Sequence, residues 1–294
     1  MMKILLLLGL VLPVFGQSIP SDAAKLSTPE LTRFMKIVCP GHAKDAQTCT
    51  VCPADSDFPN DEQGWQLSAI TFGHFTAPGE KEAIVTTIGC NSHASSLGGS
   101  FLLREVGHGY QKVWYRPGYI ASDCKKLKAT DGRDVLVCES SDMHQGVADE
   151  FLYLLDLNWH DPQAGWPNRI FFTVLDSLGS CVAMNDGYAM TGHIKAVSFL
   201  PHSDAEKVGL LVKARGGRAL LPQKILDDCN LNSKPGADEY KPVIATKPLT
   251  FQFVFDGSKV LPAPGNPGFN GTEPIMPVSS YFVPEANHPV KLRR

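Results

Sequence analysis

Between Trp65 and Leu261 apolar and polar residues alternate with the period of two that a half-buried strand requires. Leu67, Ala69 and Thr71 form one such run and Ala83, Val85 and Thr87 the next, with Pro78-Gly79 between them and Gly98-Gly99 beyond the second. Turn residues at those positions break the chain into a meander. The outline recurs three times. The first unit predicts strands over residues 66–72, 82–88, 100–105 and 111–115, and the second over 124–129, 133–140, 150–157 and 169–175. The third predicts 194–200, 208–213, 250–255 and 258–261, interrupted by an insertion over 215–248 in which 219–228 is expected to form a short helix. Each unit has the size of a propeller blade, although ~4–8 blades usually close a ring. The expected fold is all-β: three four-stranded meander repeats in a divergent or incomplete propeller-like assembly, or a stack, with one N-terminal amphipathic helix.

That helix is the one stretch with a different period. Ser27-Thr28-Pro29-Glu30 supplies a capping residue, a proline in the first turn and an acid near the positive end of the dipole. Leu31, Phe34, Met35 and Val38 follow at helical spacing, and Cys39-Pro40 ends the run. The apolar stripe is expected to dock on the sheet core.

Outside these elements the pattern changes. Residues 1–16 carry one lysine and then an unbroken apolar run, which is the layout of a secretory signal peptide and falls well short of the ~20 residues of a spanning helix. Residues 17–25 read as a polar lead-in. The expected domains are a leader (1–16), a helix with a Cys-rich segment (17–64), a β-repeat domain (65–262) and a Pro-rich irregular segment (263–294), in which 277–283 offers an edge strand. The formal net charge of −3 becomes one unit more negative once Lys3 leaves with the leader, which argues against nucleic acid or an anionic membrane as partner.

Eight cysteines behind a leader imply an oxidising compartment, secreted or periplasmic, and a disulfide framework. With Asp131 at the centre of a three-residue hairpin loop and Gly132 left-handed, Cys124 and Cys138 are equidistant from the turn and should be bonded across the strands. Cys181 is expected to pair with Cys229, and Cys90 with one of Cys39, Cys49 and Cys52. Cys49-Thr50-Val51-Cys52 lacks the βαβ setting of a redox pair and reads as structural.

Gly73-His74-Phe75, Pro78-Gly79, Glu82 and Ala83-Ile84-Val85 resemble the FG-GAP or VCBS blade of integrin-like propellers, and Asp131-Gly132-Arg133-Asp134-Val135-Leu136-Val137 resembles it more closely. The third unit offers only Leu200, Glu206 and Leu210-Leu211-Val212. The resemblance covers roughly residues 66–261 and implies a blade fold. Turn carboxylates of that family bind calcium, but Thr76, Ala77 and Pro78 replace most of those oxygens, so calcium is not carried over.

No Gly-x-Ser-x-Gly elbow, phosphate loop or His-Glu-x-x-His helix occurs in the sequence. What stands out is positional. After the second strand of unit one come Asn91, Ser92 and His93; at the matching place in unit two come Glu139, Ser140, Asp142 and His144. Together with Tyr119 from the link between units, these are expected to form a polar loop face suited to a glycan or a peptide end. Trp114, Tyr115, Tyr119, Trp159 and Trp166 either stack on such a ligand or plug the core. Two imidazoles without a third ligand do not make a zinc site, so no metal or other cofactor is expected. The leading expectation is a secreted, non-enzymatic binding module for a glycan or an extracytoplasmic protein. The alternatives are a metal-dependent hydrolase using His93 and His144 with Asp142 or Glu139, and a purely structural envelope protein.

Overall fold

The computed structural model describes residues 19–56, 59, 63–90, 98–144, 147–158, 168–176, 188–220 and 248–266. Helix α1 (Thr28–Val38) starts where the capping residues place it: the Glu30 carboxylate accepts from the Ser27 N–H (2.8 Å) and hydroxyl (2.6 Å). Phe34, Met35 and Val38 are its buried face.

Thirteen described strands make three antiparallel meanders. The first sheet runs β1 (Thr48–Cys49), β2 (Trp65–Gly73), β3 (Glu82–Gly89), β4 (Gly98–Val106) and β5 (Gly109–Pro117), in that order. The second contains β6 (Asp123–Lys128), β7 (Asp134–His144), β8 (Val147–Leu155) and β9 (Asn168–Asp176). The third contains β10 (Tyr188–Pro201), β11 (Val208–Leu220), β12 (Pro248–Phe255) and β13 (Val260–Pro262). The first unit is therefore five-stranded rather than four, because the Cys-rich segment adds β1 beside Trp65 and Gln66. In the third unit Ala219 and Leu220 close β11 instead of opening a helix, and 221–228 lies outside the described residues.

The second sheet is the middle layer. Leu136 and Cys138 pack with Ile84 and Leu102 of the first sheet, whereas Val135 and Val137 pack with Leu210, Val212, Phe251 and Phe253 of the third. Burial on both faces explains why Val135-Leu136-Val137 and Phe151 to Leu155 are continuous apolar runs. The far face of the first sheet, Ala83, Val85, Phe101 and Leu103, lies under Phe34, Met35 and Val38 of α1. Each fully buried side chain of this size contributes roughly 1.5–3 kcal/mol, so α1 is held mainly by what it covers.

The β6–β7 hairpin turns as the sequence requires. Ala129 N–H bonds Arg133 O (2.9 Å), Gly132 has φ +83°, and the register sets Cys124 opposite Cys138. Counting back from that closing bond makes Cys124 and Cys138 a non-hydrogen-bonded pair, the closer of the two antiparallel spacings. Their Cα atoms are 4.1 Å apart and the disulfide is formed. Cys39–Cys49 and Cys52–Cys90 complete the described bonds, the latter tying the Cys-rich segment to the end of β3. These three bonds fit an oxidising compartment. Cys181 and Cys229 lie outside the described residues.

The lead-in is not merely polar. Ile19, 1% exposed, sits in the core shared by the second and third sheets. Asp22 then pins the open edge of β6: its N–H donates to Cys124 O (2.8 Å), and its carboxylate accepts from the Lys126 N–H (2.8 Å) and the Lys125 ammonium (2.8 Å). Ala24 N–H donates to Ile70 O of β2 (2.7 Å). One short strap thus covers the edges of two sheets, where bare strands would invite mispairing.

Candidate functional site: a cleft at the turn end

The chain leaves β2 through Gly73-His74-Phe75-Thr76, and three successive backbone N–H groups there point at two buried acids. His74 N–H donates to Asp134 Oδ2 (2.7 Å), while Phe75 and Thr76 N–H donate to Glu82 Oε2 (2.9 and 2.8 Å). Glu82 and Asp134 occupy equivalent places, the first residue of β3 and of β7, each followed by the aliphatic run of its strand. One turn is thereby clamped between two sheets. Gly73 is required by the close approach: a Cβ there would stand 2.6 Å from the Phe75 ring and 2.9 Å from Asp134 Oδ2. Arg104 balances Glu82 (2.9 Å) and Lys128 balances Asp134 (2.8 Å). Alongside, Arg133 donates to Asp156 (2.7 Å), Asp131 (2.6 Å) and Phe75 O (3.2 Å).

Against this clamp opens a cleft of about 570 Å³. Phe72 and Tyr110 give it an aromatic wall, their rings 6.2 Å apart and both packed on Phe34. His74, Lys81, Lys126 and Lys128 bring donors to it. Lys81 pairs with Glu105 (3.2 Å), whereas the half-buried Lys126 ammonium donates to Phe72 O (2.8 Å) and has no carboxylate partner among the described residues. Burial, and then the Glu105 charge, raises the Tyr110 phenol above its ordinary value, so it stays a neutral donor.

Of the residues singled out from the sequence, Tyr119, Ser140, Asp142 and His144 lie at the other end of the sheets. Asn91, Ser92 and His93 fall outside the described residues. Ser140, Asp142 and His144 are on strand β7 and not in a loop: the ladder to β8 continues through Ser140 opposite Phe151 and Asp142 opposite Asp149, and ends at His144 opposite Val147. A polar run beyond Cys138 looks like a loop, but ladder bonds are made by the backbone whatever the side chains are. Tyr119 stands in the link near them and is 6% exposed. Its ring packs on Trp114 (5.7 Å), its hydroxyl accepts from Arg116 (2.9 Å), and its carbonyl accepts from the Ser100 hydroxyl. That is a plugged core corner and not an open stacking surface.

This end carries its own charged groups. Asp149 sits directly across from Asp142, and burial followed by the Asp142 charge raises its carboxyl above the ordinary aspartate value. His193 Nδ1 meets Glu150 Oε1 (2.9 Å) and its Nε2 lies 3.6 Å from Asp176. The Glu150 hydrogen bond raises the imidazole value against the opposing effect of burial. Among the described residues no three His, Cys, Asp or Glu side chains are grouped as metal ligands.

Compared with family models, with curated proteins and with solved structures, the chain finds no match. Fold and bonds together define a disulfide-stabilised, all-β repeat domain of three stacked meanders with a helical cap.

Proposed function

We propose that this protein is an exported binding module that takes a glycan in the cleft between the β2–β3 turn and β6. The observation that carries the reading is the cleft itself, in which an aromatic wall and convergent side-chain donors lie on a rigid, doubly clamped scaffold. The leader-like residues 1–16 and the disulfides support export. The matching acids Glu82 and Asp134 support the kinship with FG-GAP or VCBS blades as a proposal of the same standing.

A protein partner at the opposite end is the second reading. It is favoured by Asp142 facing Asp149, since like charges directly opposite each other weaken a sheet. The test is a glycan array probed with the disulfide-intact protein and with Tyr110→Leu. Loss of signal in that variant is expected. Unchanged binding by Tyr110→Leu, with loss in a His93→Ala/His144→Ala double variant, would move the site away from the cleft.

A further inference from the structure

The geometry points to a sugar acid as the ligand of the cleft: a pyranose ring carrying a carboxylate, its apolar face on Phe72 and Tyr110 and its charge on Lys126. This rests on reading the cleft as a ligand seat and adds the class of ligand.

The case comes from what the cleft has left to give. Its acids are occupied. Glu82 accepts two backbone N–H groups, the Thr76 hydroxyl and Arg104; Asp134 takes the His74 N–H and Lys128; Glu105 takes Lys81. Glu80, outside the cleft lining, shares Arg104 (3.3 Å). The group that remains is a cation, since among the described residues Lys126 is spent only on a carbonyl and an ammonium has three donors to place. A neutral sugar would leave that charge unanswered; an anion completes it.

The same geometry argues against phosphate. Successive N–H groups of a turn are the usual cradle for phosphate oxygens, and here all three already point at Glu82 and Asp134. With Lys81 and Lys128 already paired with Glu105 and Asp134, the one ammonium left over among the described residues of the cleft suits a singly charged carboxylate. The aromatic wall is the second half of the assignment. Phe72 and Tyr110 offer partly exposed aromatic surface that an inorganic anion would not use, and a cleft of about 570 Å³ has the size usual for a small-molecule site.

The experiment is calorimetric titration of the full, disulfide-intact chain with trigalacturonate, with the matched neutral galactose trimer and with inorganic phosphate. Trigalacturonate is expected to bind about tenfold tighter than the neutral trimer, the preference fading as salt rises. Lys126→Met should erase the preference while Lys126→Arg keeps most of it, and Tyr110→Leu should weaken both sugars. Urea midpoints near wild type show that the variants are folded. Equal affinity for both trimers, or a preference untouched by Lys126→Met, overturns the sugar-acid assignment and leaves the glycan cleft standing. Phosphate competing as well as trigalacturonate overturns the sugar part. If neither trimer binds, the glycan reading falls with it.

Discussion

Replacing Glu82 by Gln changes no volume and removes one charge, which makes it a clean probe of the clamp that joins the first two sheets. Glu82 is 1% exposed and receives five hydrogen bonds: Phe75 and Thr76 N–H on one oxygen, and the Thr76 hydroxyl, Arg104 Nη2 (2.9 Å) and Arg104 Nε (3.3 Å) on the other. An amide has one acceptor oxygen and one NH2, so half of this arrangement must face a donor. The cheaper orientation keeps the oxygen on the two backbone N–H groups and turns NH2 toward Arg104. The lost charged bond costs ~1.5–3 kcal/mol, and weakening the two remaining bonds to neutral strength adds about 1, for a total of about 3 kcal/mol. Arg104→Met is expected to be milder. Its side chain is 36% exposed, so solvent screens part of the charged bond, and Glu82 keeps three donors without it, which places the cost below that of Glu82→Gln. Urea unfolding with the disulfides intact, followed by tryptophan fluorescence, measures both. Glu82→Gln should also lower Tm by roughly 6–12 °C, taking ~2–4 °C per kcal/mol for a domain of this size. A Glu82→Gln protein within about 0.5 kcal/mol of wild type, or an Arg104→Met protein equally destabilised, would refute the reasoning.

Three further outcomes are expected. Converting Cys124 and Cys138 to Ala releases a loop whose ends are 14 residues apart, and should cost about 3 kcal/mol in the chain-entropy model; a loss under about 1 kcal/mol in the urea experiment contradicts it. Ile19→Ala should cost ~2–4 kcal/mol, because the side chain fills a core between two sheets, whereas a tail that merely leans on the surface would show no change. His193 faces Glu150 of β8 and Asp176 of β9, with Lys195 on its own strand and Arg215 opposite it on β11. Its folded value is raised, so its contribution is fully present below the unfolded value of about 6.5 and is lost as pH rises through the higher folded value. With the side chain 37% exposed, solvent screening limits the effect to about 1 kcal/mol. Wild type and His193→Gln should therefore differ most near pH 6 and converge by pH 9; a difference that grows with pH contradicts the sign.

The sequence by itself determined what is local. Alternation and turn residues specify the meanders because side chains of a strand point to opposite faces at every step. The cap residues specify where α1 starts, and a three-residue loop centred on Asp131 sets the β6–β7 register, since one residue of slip would turn every side chain to the wrong face. The pairing of Cys124 with Cys138 follows from that register alone. Tertiary structure decided the rest. The stretch beyond Ser140 conceals the last residues of β7, because only backbone pairing with residues 147–150 of β8 makes it strand. Ile19 is a lone apolar residue with no period around it, and only the junction of two sheets makes it core. Tyr119 reads equally well as a stacking surface or a plug; Trp114 and Arg116 packed around it make it the plug. The cleft had no sequence signal at all. Phe72, Tyr110 and Lys126 belong to three strands of two sheets, and they share a space only because Glu82 and Asp134 hold those sheets on one turn.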